Sequence, residues 1–218
     1  MNRTRIKICG LTREIDVDAA VAAGVDAVGF VFYAKSARFV TPARAHDLIR
    51  RLPPFVTPVG LFVNASAEEV AETAHFSGIQ LLQFHGDELP EACEQASAAC
   101  AKPFVRAARV AADTTATDLL NFMHRFNSAQ AILLDTHVEG FGGGGKVFDW
   151  SLIPANADRP LVLSGGLNPA NVQSGIARVK PFAVDVSSGV EVAKGIKDAT
   201  LMRQFVAAVH IADQSSIS

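Results

Sequence analysis

The strongest constraint on the fold is a regular alternation of short β-rich runs with Ala-rich helical stretches along the whole chain. There are eight β-rich runs: RIKIC from residue 5, DAVGFVF from 26, VTPVGLFV from 56, IQLLQF from 79, PFVRAA from 103, AILLD from 131, PLVLSGG from 160 and FAVDVSSG from 182. Stretches such as IDVDAAVAAGV, ARAHDLIRRL, AEEVAETAHFS and DLLNFMHRF lie between them and carry apolar residues at helical spacing. A repeated strand and helix predicts parallel strands joined by right-handed crossovers.

The number of repeats favours a closed barrel. Dividing 218 residues by eight gives about 27 residues per unit, enough for a strand, a crossover helix and short loops. The competing fold, an open doubly wound sheet, usually has fewer strands, and no G-x-G-x-x-G follows the first strand here. The sequence therefore predicts an α/β fold with a single (β/α)8 TIM barrel, eight parallel strands and outer helices over residues 1–210, and a flexible tail over 211–218.

Three segments carry the residues that start helices. Ser66 with Glu69 predicts a capping box, in which each side chain bonds the other residue's backbone N–H. Thr41-Pro42 and Asn168-Pro169 each place a capping side chain before a proline, which predicts a helix beginning at that proline.

Composition narrows the classes of function. A hydrophobic content of 49% is typical of a globular protein, and a net charge of -2 gives no support for nucleic acid or an anionic membrane as a partner. The three cysteines lack the paired spacing of a zinc site, which suits a reducing compartment. No apolar run reaches the ~20 residues of a membrane span and none resembles a signal sequence. We therefore expect a soluble cytoplasmic protein without disulfides, and small-molecule chemistry remains open.

The first strand places two reactive side chains on one face. Because side chains alternate along a strand, Ile6 and Ile8 lie on one face and Lys7 and Cys9 on the other. If the isoleucines pack against helices, Lys7 and Cys9 point into the barrel, with the sulfur accessible at its rim. Gly10 then lets the backbone turn and leaves room beside the sulfur.

The sixth strand ends in Asp135, directly before the Gly-rich loop THVEGFGGGGK. In (β/α)8 barrels, reactive groups lie where strands end and βα loops begin, so this carboxyl group is a candidate for catalysis. The structural alternative is an aspartate that caps a short turn.

The last two strands lead into glycine pairs that predict a phosphate site. Exposed backbone N–H groups at Gly165, Gly166, Ser188 and Gly189 would form a concave array that binds phosphate, a frequent feature after strands seven and eight of barrels. The alternative is that Gly165 and Gly166 only form a tight turn. Beside such a site, the loop residue Arg38 is a candidate for holding a substrate carboxylate with its planar guanidinium group.

Taken together, these segments resemble one known family. In order, the chain carries KICGLT, GVDAVGFVF, SARFVT, VGLFVN, QLLQFHGDE, LLDT, a Gly-rich loop closing on FDW, LSGGLNPANV, DVSSGVE and GIKD. Their order and spacing resemble the phosphoribosylanthranilate isomerase family of tryptophan biosynthesis. The resemblance implies a barrel, without metal or organic cofactor, that converts the phosphosugar phosphoribosylanthranilate into carboxyphenylamino-deoxyribulose phosphate by an Amadori rearrangement, an aldose-ketose isomerisation.

The resemblance also implies roles for individual residues. Cys9 would be the general base, Asp135 the general acid and Arg38 the residue that holds the anthranilate carboxylate. The remaining implied residues line the substrate pocket (Lys7, His85 and Asp185) or bind phosphate (Gly165, Gly166, Ser188 and Gly189).

The chemistry requires opposite protonation states at the start of the reaction. Asp135 must hold a proton and Cys9 must lose one, each against its tendency near neutral pH. We expect burial behind the Gly-rich loop to favour the protonated Asp135, and positive charge, with Lys7 the nearest in sequence, to favour the Cys9 thiolate. His85 remains an alternative base, although hydrogen bonding within the pocket is its preferred role.

Other functions stay open at the level of sequence. Another phosphosugar barrel, such as indole-glycerol-phosphate synthase or a ribulose-phosphate epimerase, would need catalytic lysines or metal ligands at several strand ends, and neither set is visible. A non-enzymatic sensor of phosphate ligands would use Cys9 as a redox switch without needing Asp135. The oligomeric state is left open between monomer and homodimer.

Overall fold

Eight parallel strands form a closed barrel in the order of the chain, each paired with the next and β8 with β1. The structure, a computed structural model, describes residues 3–136, 148–154 and 157–215. The strands are β1 Arg5–Cys9, β2 Ala27–Val31, β3 Thr57–Phe62, β4 Leu81–Phe84, β5 Phe104–Val110, β6 Ala131–Thr136, β7 Leu161–Leu163 and β8 Ala183–Val186. All eight predicted strands and their closure into a barrel are confirmed.

Seven α-helices surround the described part of the barrel. They are α1 Glu14–Ala23, α2 Pro42–Ile49, α3 Ala67–Ser77, α4 Pro90–Cys100, α5 Ala116–Arg125, α6 Val172–Val179 and α7 Ala199–Ser215. Between β6 and β7, the described residues contain a single 3₁₀ turn, Trp150–Leu152, where the repeat predicts a helix. A small antiparallel hairpin, β9 Glu191–Ala193 and β10 Ile196–Lys197, is inserted between β8 and α7. Within the described ranges, no helix has the length and apolar character needed to cross a membrane.

The alternation of side chains in the strands builds two separate cores. Ile6 and Ile8 are fully buried in the larger core between the strands and the helices, where each contributes about 2 kcal/mol relative to an exposed position. Six residues fill the smaller core inside the barrel: Val105, Ala107, Ala131, Leu133, Val162 and Ala183. Because Ile6 and Ile8 face outward, Lys7 and Cys9 face inward, as predicted from the period of two.

Two of the three predicted helix starts are confirmed. Ser66 and Glu69 form a capping box at α3, and the Thr41 side chain accepts a hydrogen bond from the backbone N–H of Arg44 at the start of α2. The prediction at Asn168-Pro169 is wrong, because α6 begins later, at Val172. The Asn168 carboxamide instead accepts a hydrogen bond from the N–H of Ala170 and closes a turn that precedes the helix.

The structure also corrects residues 211–215 of the tail predicted over residues 211–218, because α7 continues to Ser215. The side chain of Asp213 accepts hydrogen bonds from the Thr4 N–H at 2.9 Å and the Thr4 hydroxyl at 2.7 Å. These bonds join the last helix to the start of β1, so residues 211–215 are part of the folded barrel.

Candidate active site

A cavity opens at the carboxyl ends of the strands and brings together eight of the ten predicted site residues: Cys9, Arg38, His85, Asp135, Gly165, Gly166, Asp185 and Ser188. They come from the loop after β2 and from the ends of β1, β4, β6, β7 and β8. Gln83, Ser164 and Ser187 also line the cavity and were missed by the sequence analysis. The predicted Gly-rich loop falls mostly on residues 137–147, which lie outside the described residues.

Space for the Cys9 thiol comes from the neighbouring strand. Cys9 pairs in register with Gly29 of β2, and a Cβ atom added to Gly29 would lie 2.7 Å from the sulfur. The room that the sequence led us to expect from Gly10 beside the sulfur stays a prediction. Gly10 adopts a φ of +81°, and a Cβ there would lie 2.4 Å from Cδ of Arg38. Gly10 therefore makes room for the arginine side chain, while Gly29 makes room for the thiol.

Burial dominates the chemistry of the Cys9 thiol. The residue lines the cavity but is only 5% exposed, so it is more buried than the accessible rim position predicted from the sequence. Burial raises the pKa of Cys9, Asp185 adds to this effect, and the positive charges of Lys7 and Lys197 oppose it without reversing it. The predicted effect of Lys7 is therefore correct in sign, but the expected net stabilisation of the thiolate is not found.

Lys7 does not line the cavity but holds a residue that does. Its Nζ atom lies 2.8 Å from Oδ1 of Asp185, the residue that faces it in the register of β1 and β8, and both side chains are buried. Ser164 donates a longer hydrogen bond, 3.5 Å, to the other oxygen of Asp185. The ion pair fixes the orientation of the Asp185 carboxylate, which does line the cavity.

Asp135 is held by a histidine whose tautomer is set by a third residue. Nε2 of His85 lies 3.0 Å from Oδ2 of Asp135, and Nε2 of Gln83 lies 3.1 Å from Nδ1 of His85. As the amide of Gln83 is assigned, it donates to Nδ1, so a neutral His85 carries its proton on Nε2 and donates it to Asp135. His85 therefore positions the carboxyl group, in agreement with its preferred role in the sequence analysis.

The other oxygen of Asp135 lies close to Gly165. A Cβ atom on Gly165, whose φ is +77°, would lie 2.9 Å from Oδ1 of Asp135 and 2.4 Å from the backbone nitrogen of Thr136. Gly165 is thus required for close packing between the ends of β6 and β7, beyond any role in phosphate binding.

The two glycine-containing loops meet at the predicted phosphate site. Gly166 has a φ of +68°, and Ser188 begins a 3₁₀ turn directly after β8. Among the described residues, no backbone hydrogen bond uses the N–H groups of Gly166, Ser188 or Gly189. Gly189 does not line the cavity, but a Cβ there would lie 1.8 Å from the carbonyl oxygen of Leu167, so it allows the two loops to touch.

Arg38 reaches the cavity with its guanidinium group already paired. Its Nε and Nη2 atoms donate to the two carboxylate oxygens of Glu191, both at 2.7 Å, in a bidentate ion pair. This pair fixes the plane of the guanidinium group.

Comparison with known proteins identifies the family. The family profile "N-(5'phosphoribosyl)anthranilate (PRA) isomerase" matches residues 6–208. A relative from Leptothrix cholodnii, N-(5'-phosphoribosyl)anthranilate isomerase, is 66% identical over 215 residues, which cover 99% of this chain and 94% of the relative. The chain belongs to the phosphoribosylanthranilate isomerase family.

Solved members of the phosphoribosylanthranilate isomerase family have the same barrel. The enzyme from Thermotoga maritima is 42% identical, with a TM-score of 0.86 over 95% of this chain and 98% of that one. A phosphoribosylanthranilate isomerase in complex with reduced 1-(o-carboxyphenylamino)-1-deoxyribulose 5-phosphate is 40% identical, with a TM-score of 0.83 and coverage of 95% and 98%.

Of the residues that the sequence analysis of this isomerase family member did not single out, Gln83 had a signal in the sequence, and the pairing of Glu191 did not. Gln83 precedes His85 by two positions, so strand alternation places both on the inner side of β4 and its exit. Glu191 lies in the segment DVSSGVE that supported the family resemblance, but nothing in that segment indicates that its partner is Arg38, 153 residues away.

Proposed function

We propose that this chain catalyses the reaction for which its family is named, the Amadori rearrangement of N-(5-phosphoribosyl)anthranilate to 1-(o-carboxyphenylamino)-1-deoxyribulose 5-phosphate in tryptophan biosynthesis. The proposal is carried by one observation. A thiol and a carboxyl group, Cys9 and Asp135, line the same cavity together with the glycine-containing loops and Arg38.

In the first step, Asp135 donates a proton to the ring oxygen of the ribose, the C1–O bond breaks, and the nitrogen lone pair forms an iminium ion. The Oδ2 atom of Asp135 accepts the hydrogen bond from His85. The proton that is transferred therefore resides on Oδ1, the oxygen beside Gly165.

In the second step, the Cys9 thiolate removes the proton from C2, and the C–H electron pair forms the double bond of an enolamine while the iminium nitrogen becomes neutral. The enolamine then tautomerises to the ketone of the product. Because burial raises the pKa of Cys9, the thiolate is a minor species in the free protein. Binding of substrate and the cations near the thiol must supply the reactive form.

Substrate binding depends on the phosphate at one end of the substrate and the anthranilate carboxylate at the other. The N–H groups of Gly166 and Ser188, which line the cavity and have no backbone partner within the described residues, provide donors for the phosphate without requiring a cation. Gly189 supports them by letting the two loops touch. Arg38 holds the anthranilate carboxylate at the opposite side of the reacting carbons. Two fixed anion sites would place C2 near the thiol and the ring oxygen near the carboxyl group.

The test is a turnover assay with purified protein and freshly generated phosphoribosylanthranilate, whose fluorescence decays as it is converted. We expect turnover by the unaltered chain, and losses of at least about 10²-fold in kcat for Cys9→Ser and for Asp135→Asn. Ligand binding without turnover would support the sensor hypothesis, and full activity of Cys9→Ser would assign the base to another residue. In that case, loss of all turnover in His85→Ala with Cys9 intact would point to His85 as that base, whereas a partial loss fits its hydrogen bond to Asp135.

A further inference from the structure

A buried lysine outside the proposed set of substrate contacts lies behind Arg38. Lys197 is on β10 of the small hairpin, and its side chain is 0% exposed. Its Nζ atom donates to three oxygens: Oε1 of Glu191 at 2.7 Å, the carbonyl of Ser187 at 3.0 Å and the Ser187 hydroxyl at 3.3 Å. The Ser187 hydroxyl in turn donates to the carbonyl of Cys9 at 3.0 Å. One ammonium group therefore contacts both the loop after β8 and the carboxylate that holds Arg38.

Arg38, Glu191 and Lys197 form a charge triad. Oε1 of Glu191 accepts hydrogen bonds from both Nε of Arg38 and Nζ of Lys197. The side chains of Arg38 and Glu191 are 13% and 5% exposed, so the whole triad is largely withdrawn from water. Burial lowers the pKa of Lys197, and the Glu191 carboxylate opposes that shift. Nζ of Lys197 nevertheless donates to three acceptors, which uses all three N–H bonds of an ammonium group. Two cations therefore share one anion, and the triad carries a net charge of about +1.

The surrounding charged groups do not cancel this excess. Lys7 and Asp185 form a pair that is neutral in itself. On the outer side, Arg13 donates to the backbone carbonyl of Lys197 but is paired with Asp16. Cys9 has a raised pKa and is therefore mostly a neutral thiol. An unbalanced buried charge is costly, and an added anion within reach relieves that cost.

The anion must come from the cavity, because Arg38 is the member of the triad that lines it. Without Lys197, Arg38 and Glu191 would form a neutral bidentate pair, and the attraction of Arg38 for a second carboxylate would be weak. Because Lys197 also bonds to Oε1 of Glu191, the triad keeps an excess positive charge, and Arg38 presents that charge to an anion in the cavity.

We propose that Lys197 is a positioning and specificity-determining residue, which keeps the charge triad positive so that Arg38 selects substrates bearing a carboxylate on the aromatic amine. The proposal rests on the assignment of Arg38 under Proposed function. It extends that assignment to a residue that does not itself touch the substrate.

The test compares two ligands that differ only in the carboxylate. The first is reduced 1-(o-carboxyphenylamino)-1-deoxyribulose 5-phosphate, and the second is the same reduced compound with a phenylamino group in its place. We expect Lys197→Met to weaken binding of the first ligand by roughly tenfold or more, since a unit charge at this depth is weakly screened. Binding of the second should change by less than about twofold. Calorimetric titration measures both dissociation constants.

Two further variants separate charge from structural damage. Glu191→Gln combined with Lys197→Met removes one anion and one cation, which restores the net charge to about +1, and we expect recovery of much of the affinity for the carboxylate ligand. Lys194→Met makes the same charge change at an exposed position on the same hairpin and should leave both dissociation constants unchanged. If Lys197→Met does not fold, Glu191→Gln is compared with the double variant instead. These two proteins differ only at residue 197, so the comparison removes the same positive charge.

The outcomes distinguish this inference from the proposed function. Equal weakening of both ligands by Lys197→Met, or no recovery in the double variant, would overturn the role of Lys197. If the unaltered protein binds the two ligands equally well, the assignment of Arg38 itself is wrong. A carboxylate preference that survives Lys197→Met would reject the triad and leave Arg38 in place.

Discussion

At the scale of single residues, the site depends as much on glycines, which have no side chain, as on the reactive residues. Gly29 faces the Cys9 sulfur and Gly10 faces the Arg38 side chain, and in both places a Cβ atom would come closer than a normal contact. The base and the proposed carboxylate-binding group are therefore placed by glycines on two different segments. A substitution at Gly29 should therefore act on the reacting geometry, whereas one at Gly10 would also strain a backbone with a φ of +81°.

The first prediction concerns Gly29→Ala. The added methyl would lie 2.7 Å from the sulfur, so the thiol must rotate or shift away from its position. We expect kcat to fall by about 10²-fold, since a displacement of about 1 Å can cost that much, with a smaller change in KM. Steady-state kinetics measures both constants. In a Cys9→Ser background the same substitution should add little further loss, and a fully additive loss would contradict this account.

The second prediction concerns the ionisation of Cys9. Because its pKa is raised by burial, the thiolate fraction is below that of a free cysteine at neutral pH and grows only in the alkaline range. In a Cys93→Ser, Cys100→Ser variant, alkylation of Cys9 by iodoacetamide should be slow at pH 7 and still rising above pH 9. Mass spectrometry of the modified protein across pH measures the rate. A rate that reaches its plateau below pH 8 would contradict the prediction.

At the scale of elements, the sequence predicted a helix boundary where the stabilising contact is local and missed one where that contact spans the fold. The capping box at Ser66 is complete within four residues, and it was predictable for that reason. The end of α7 depends on the bonds from Thr4 to Asp213, which join residues 209 positions apart. This explains why the polar segment after residue 211 was predicted as a tail and is helical up to Ser215.

The third prediction concerns this junction. Asp213→Ala removes the acceptor for the N–H and hydroxyl of Thr4, and we expect the free energy of unfolding to fall by about 1–2 kcal/mol. Chemical denaturation followed by circular dichroism measures the loss. The control is Gln214→Ala, an exposed neighbour on the same helix, which should be nearly neutral. Equal stability of Asp213→Ala and the unaltered chain would show that the end of α7 is not anchored through this side chain.

At the scale of the whole molecule, closure of the barrel brings the ends of distant strands to one cavity. β1 and β6 are separated by more than 120 residues in the chain but by only β8 and β7 in the barrel. The opposite end of the barrel contains structural ion pairs. There the Asp26 carboxylate accepts hydrogen bonds from Arg3 and from the N–H of Ile6, the latter at 2.8 Å.

The fourth prediction follows from Asp26. Burial raises its pKa, but the hydrogen bonds from Arg3 and the Ile6 N–H and the charge of Arg3 outweigh burial, so the net pKa lies below the usual value. A lowered folded-state pKa contributes stability that is present above about pH 4 and is lost as the pH falls through the folded-state value. We expect Asp26→Asn to be less stable than the unaltered chain at pH 7 and to lose less stability between pH 6 and pH 3.

Urea unfolding at each pH gives the free energies for this comparison. The control is Asp113→Asn, an exposed aspartate, whose pH dependence should match that of the unaltered chain. An Asp26→Asn variant with the same pH dependence as the unaltered chain would contradict the lowered pKa.

The sequence by itself determined the strands, the closed barrel and most of the candidate site. Strand periodicity, repeat length and short motifs are local properties, so they indicated that Cys9, Asp135 and the glycine pairs would meet at the strand ends. The tertiary structure alone decided the contacts between segments that are distant in the chain. It placed Gly29 of the neighbouring strand beside the thiol, buried Cys9 so that its pKa rises, and joined Arg38 to Glu191 and Lys197. These features depend on register and on distances across the barrel, and no local pattern encodes them.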